Sequence, residues 1–204
     1  MSQIPALVGG NAISHGISMF VDHGGTSSSK MHVGGQANAD VAAGTTTASS
    51  TAENECTEFT IPANTLVAGS TIRVKFLVYV LDNNGSDTLQ VGLRLGSNTT
   101  ASANAGMLSA ATDVADTDAL VGDCIFQIRT AGASGTLAGW GTVATGTAGS
   151  KLSMATDQAG AFAATAFNTT VANYLTVTTL FNASHADNEA TTEGFVVDIV
   201  NPST

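Results

Sequence analysis

The chain is poor in charge. Asp, Glu, Lys and Arg make up 11% of its 204 residues, where an average soluble domain carries about 25%. Basic residues are the scarcest. Lys30, Arg73, Lys75, Arg94, Arg129 and Lys151 stand against 16 acidic residues, for a net charge of −10. They form no run. A nucleic-acid binder needs a basic patch that displaces phosphate counterions, and an anionic membrane attracts the same kind of patch. Neither nucleic acid nor membrane is therefore an expected partner. Aromatics are also few, with one Trp (Trp140) and two Tyr (Tyr79, Tyr174), so a carbohydrate-cleaving cleft would lack stacking surface.

Cysteine is nearly absent. Cys56 and Cys124 match no zinc spacing and no CxxC motif. They read as small apolar core residues, because a disulfide would need an oxidising compartment that the sequence does not advertise. No basic segment followed by an apolar run opens the chain, and no run is long enough to span a bilayer. Synthesis in a cytosol is the expectation.

What is present is a 43% hydrophobic fraction, enough for a core, set in Thr, Ser, Asn, Ala and Gly. A surface of those residues tolerates close packing against other subunits, since little charge must be desolvated.

Two regions differ in pattern. Residues 1–52 are rich in Gly, Ser and Thr, as at Gly9-Gly10, Gly24-Gly25, Gly34-Gly35 and Thr45 to Thr51. This extended N-terminal arm cannot offset its ordering entropy alone. It needs its own body, a neighbouring copy or a partner to hold it. Residues 53–204 read as one domain of alternating strands.

The clearest strand is 71–81, with Ile72, Val74, Phe76, Val78 and Val80 on one face and Arg73, Lys75, Leu77, Tyr79 and Leu81 on the other. The second face starts charged and ends apolar, which predicts that another subunit covers that end. Leu89, Val91, Leu93 and Leu95 mark a strand at 88–95, and the turn cluster Asp82 to Asp87 joins the two as a hairpin over 70–96. Further strands are expected at 53–61, 120–130, 136–144, 161–167, 173–182 and 193–200. Residues 97–119 read as a long loop with a short helix near Met107–Ala111. Short strands at this spacing predict an all-β fold, a jelly-roll-type β-sandwich.

The search for chemistry finds little. There is no G-x-S-x-G, P-loop, G-x-G-x-x-G or H-E-x-x-H; Ser134 lies in ordinary turn composition. His15, His23, His32 and His185 match no recurrent metal spacing, and hydrogen-bonding roles are favoured over a metal cluster. Asp113, Asp116, Asp118 and Asp123 crowd one segment, and Asp187, Glu189 and Glu193 another. Both lack the EF-hand order and read as solvated loops ahead of calcium sites. Trp140, between Gly139 and Gly141, predicts close backbone approach around a large ring, in a core or interface ahead of a sugar-stacking platform. No catalytic residue, metal or cofactor is expected.

The run Phe59 to Val74, the hairpin end Leu93 to Gly96, and the stretches Tyr174 to Leu180 and Glu193 to Val200 resemble a diffuse group of tailed-bacteriophage virion proteins. The resemblance covers roughly residues 53–200. It implies a trimeric jelly roll of the tumour-necrosis-factor type, acting as a capsid decoration or cement protein, or as a fibre or tail-tip knob that binds a host receptor or glycan. The position of Ser70 is often acidic in similar sequences. The chain is thus expected to be a non-enzymatic virion protein on the capsid surface, bound to the major capsid protein or other virion proteins. Its subunit contact is expected at Leu77, Tyr79, Leu81 and Trp140.

Overall fold

The computed structural model describes residues 35–40, 44–48, 50–145, 151–153 and 165–202. Thirteen strands follow in chain order. They are β1 Gly35–Asp40, β2 Thr47–Ala48, β3 Asn54–Ile61, β4 Leu66–Asp82, β5 Thr88–Gly96, β6 Ala105–Leu108, β7 Thr112–Asp113, β8 Ala119–Thr130, β9 Gly135–Thr145, β10 Lys151–Ser153, β11 Thr165–Phe167, β12 Asn173–Phe181 and β13 Glu189–Pro202. A 3-10 turn lies at Ala101–Ala103.

All pairings are antiparallel. The larger, eight-stranded sheet has the order β1-β13-β4-β8-β9-β10, with β2 on β13 and β11 on β9. The smaller, five-stranded sheet runs β3-β12-β5-β6, with β7 on β5. The pairs are nested: β1 with β13, β3 with β12, β4 with β8 and β5 with β6. A hairpin-like ribbon wound in this way, alternating between two sheets, is a jelly roll.

The alternation in the sequence is the alternation of burial. Ile72, Val74, Phe76, Val78 and Val80 of β4 are buried, as are Leu89, Val91, Leu93 and Leu95 of β5, Leu175, Val177 and Phe181 of β12, and Phe195, Val197 and Ile199 of β13. Strands from both sheets contribute to one apolar cluster, so the inner faces pack on each other. Cys56 and Cys124 are buried and are not joined in a disulfide.

Two expectations about the chain path are corrected. Residues 70–96 do not form a hairpin: β4 pairs with β13 and β8, and β5 with β12 and β6, so the chain crosses between sheets at 83–87. Other loops hold this crossing. Asn83 N donates to Asp116 Oδ1 at 2.8 Å and Asn84 N to Asn188 Oδ1 at 3.0 Å. The helix expected near Met107–Ala111 is also absent, since Met107 is a fully buried core residue of strand β6.

Of the expected arm, residues 35–40 and 47–48 join the large sheet as β1 and β2. Residues 44–48 also join the two sheets: Gly44 N donates to Thr192 O at 2.6 Å in β13, and Thr45 N to Cys56 O at 2.8 Å in β3. The Thr47 and Thr179 hydroxyls, both buried, lie 2.6 Å apart. Residues 1–34, 41–43 and 49 of the arm, with His15, His23 and His32, lie outside the described residues, as do 161–164 of the strand expected at 161–167.

The glycines beside Trp140 serve a different ring from the one expected. A Cβ on Gly139 would sit 2.8 Å from Phe126 Cδ1, and one on Gly141 would sit 2.6 Å from Cys124 Sγ. Both glycines make room on the inner face. Gly139→Ala should therefore cost about 1–3 kcal/mol through overpacking and lower the urea midpoint. An unchanged midpoint would contradict the packing described for Phe126.

Candidate functional site

The outer face of the large sheet holds the residues expected at a subunit contact. Directly opposed residues in antiparallel strands share a face, and the register orders this face in rows. Leu77 opposes Val121, which opposes Ala144. Tyr79 opposes Ala119, and Arg73 opposes Ile125, which opposes Trp140. Leu77 and Tyr79 are half-buried, while Leu81 is 40%, Val121 50% and Trp140 37% exposed.

Leu77, Tyr79, Leu81 and Val121 thus form one apolar patch. Trp140 stands apart from it, about 13 Å away along the strands. Between the two lies an exposed ion pair, Lys75 Nζ to Asp123 Oδ2 at 3.3 Å. Such a pair contributes little to stability, but it borders the patch. Val121 was absent from the expected contact. Its signal was available, since it alternates with buried Leu120 and Gly122, but the partner strand that places it beside Leu77 is not legible locally.

The outer face of the small sheet carries a second polar feature with no sequence signal, because its members are far apart in the chain. Arg94 Nε donates to Glu53 Oε1 at 2.7 Å and Arg94 Nη2 to Glu53 Oε2 at 2.6 Å, a bidentate pair that is largely buried. Thr178 Oγ1 adds a bond to Glu53 Oε1 at 2.5 Å. Burial alone would push the Glu53 carboxyl up. The hydrogen bonds from Arg94 and Thr178 and the Arg94 charge outweigh it and hold the group below its ordinary value. On the same sheet, burial and then the charge of Glu55 push Glu58 up. Residue 53, at the entry to β3, is thereby fastened to β5 and β12.

The candidates for chemistry do not converge. Ser134, in the turn after β8, and His185, in the turn before β13, lie at opposite ends of the sandwich. His185 Nδ1 is 3.5 Å from Asp187 Oδ2, and both are exposed. Asp116 and Asp118 accept backbone hydrogen bonds from Asn83 and Ala115, so they shape turns. Among the described residues, no group of three or more His, Cys, Asp or Glu side chains is placed to hold a metal ion, and no helix is long and apolar enough to cross a membrane. Burial pushes the Cys124 thiol up to about 12, with Asp123 adding to the effect. Burial also raises Cys56, against the hydroxyls of Thr179, Thr192 and Thr47. Neither thiol is an activated nucleophile.

Comparison with known proteins finds no matching family model, no similar curated protein and no similar solved structure. Ser70 is buried, and its hydroxyl accepts the Val67 amide at 2.9 Å.

The Glu53–Arg94 pair has a testable signature. Glu53, with a depressed folded pKa, contributes stability that is present above its ordinary value of 4.5 and lost as pH falls through the folded value. Arg94→Ala leaves a buried carboxylate unpaired, which should cost about 3–5 kcal/mol near neutral pH. Because burial then raises Glu53, its contribution changes sign and the variant's deficit shrinks on acidification. Urea titrations across pH check this; a deficit that stays constant with pH would contradict it.

Proposed function

We propose that the chain is a non-enzymatic virion structural protein, a capsid decoration or cement protein that binds and stabilises the assembled head lattice as a homotrimer. Its partner in this reading is the major capsid protein. The observation that supports it most is the apolar patch of Leu77, Tyr79, Leu81 and Val121 on the solvent side of the large sheet. Removing such a patch from water contributes about 25 cal/mol per Å², with the Lys75–Asp123 pair, Glu193 and Asp82 at its borders left free to stay hydrated. A protein that binds the assembled lattice and not its free subunits stabilises the lattice by mass action. The likeness of the strand sequences to phage virion proteins supports the same reading.

A second reading is a fibre or tail-tip knob that binds a host-surface receptor or glycan. Exposed Trp140 favours it, since an indole face on an open sheet can stack on a sugar ring.

Immunogold labelling of particles of the encoding virus separates the two. Label distributed over heads is the expected result. Label confined to tail or fibre tips would favour the knob, and unlabelled particles would overturn both.

A further inference from the structure

We infer that the protein docks onto its lattice partner through one end of the sandwich, formed by residues 62–65, 97–104, 131–134 and 168–172, and turns the opposite end to solvent. The identity of the partner rests on the virion reading above; the choice of end rests on the following geometry.

The two ends differ in charge. The docking end holds no Asp, Glu, Lys, Arg or His in any of its four loops; the charges that border it are exposed Arg129, two residues before 131–134, and Glu55, whose Oε1 accepts the Ala101 amide at 2.9 Å. The opposite end, at 82–87, 113–118 and 182–189, gathers Asp82, Asp87, Asp113, Asp116, Asp118, Asp187 and Glu189 with no Lys or Arg. An acidic end of this kind repels a second copy and any acidic surface, and burying it would require desolvating several carboxylates. The uncharged end can be buried without that cost.

The uncharged end is also preorganised. Asn64 N donates to Thr169 O at 2.9 Å, Gly132 N to Thr169 Oγ1 at 2.8 Å, and Thr169 N to Gly132 O at 3.1 Å, so three loops are cross-linked through one buried threonine. Asn104 braces the fourth: its Oδ1 accepts from Asn98 N at 2.9 Å and its Nδ2 donates to Asn98 O at 2.8 Å. A surface already ordered loses little entropy on association.

Two features there call for a partner. Val171 is 38% exposed at the tip of its loop. Behind it, Asn173 is 2% exposed; its Nδ2 donates to Asn168 O and Val171 O, while its Oδ1 has no hydrogen-bond partner. The first strand enters the large sheet from this end as well, since Gly35 opposes Ile199. The partner surface that fits is a protein face poor in charge and offering amide and hydroxyl groups. Nucleic acid is disfavoured because Arg129 alone at its border makes no basic patch. A glycan is disfavoured because none of these loops carries an aromatic ring.

Ala133→Glu and Ala115→Glu test the choice of end, since each adds one charge to an exposed loop alanine, at the docking and the acidic end respectively. Co-sedimentation with particles depleted of this protein measures binding, and the urea midpoint of each variant checks folding. Ala63→Glu, at an exposed alanine of a separate docking-end loop, replaces Ala133→Glu if that variant does not fold. The expected result is a loss of about tenfold or more for Ala133→Glu and less than about twofold for Ala115→Glu, from the burial of one charge. Wild-type binding should also change less than about twofold with salt, as no ion pair is formed. Equal binding by both glutamate variants, or a larger loss for Ala115→Glu, would overturn the choice of end while leaving the virion reading intact. So would a changed sedimentation mass for Ala133→Glu, which would mark a contact between copies, or glycan binding that this variant abolishes. Failure of the wild type to bind would overturn the virion reading and the partner with it.

Discussion

The strict alternation of β4 sets the rest of the molecule. Ile72, Val74, Phe76, Val78 and Val80 must all face the small sheet to be removed from water, and that commits Arg73, Lys75, Leu77, Tyr79 and Leu81 to the other side. A slip of one residue would exchange the two sets. β4 is also the strand on which β13 and β8 build, so its register places Val121 beside Leu77 and carries the ladder on to Trp140. The apolar outer patch is thus a consequence of core packing, and its composition is what remains to be explained by function.

Scarce charge is deployed in three distinct ways. Arg94 and Glu53 are drawn together on the small sheet, where a bidentate bond offsets the cost of burial. Lys75 and Asp123 stay exposed on the large sheet. Most carboxylates of the crossing loops gather at one end, and the other end is left uncharged. A chain with 43% hydrophobic residues and a net charge of −10 gains solubility from that acidic end while keeping the remainder available for contact.

Much of the fold was legible because burial follows period two. The strands expected at 53–61, 71–81, 88–95, 120–130, 136–144, 173–182 and 193–200 all exist, with boundaries moved by a few residues. The errors arose where a local signal had a tertiary competitor. Asn83-Asn84-Gly85 carries hairpin composition, yet its amides bond to neighbouring loops and its flanking strands enter different sheets. Met107 lies among helix-favouring alanines, yet pairing with Leu93 draws it into the core. Gly139 and Gly141 flank Trp140 in sequence but face Phe126 and Cys124 in space. Leu77, Tyr79 and Leu81 could be assigned to one face from sequence. Their neighbour Val121 and the Glu53–Arg94 pair could not, because only the nested strand order brings them together.

Sedimentation equilibrium on the wild type and on Tyr79→Asp and Val121→Asp tests the assembly surface most directly. The account predicts a wild-type mass three times the 20.4 kDa chain. It predicts single chains for both variants, with unchanged far-UV circular dichroism. A monomeric wild type, or a trimer that survives both substitutions, would contradict it.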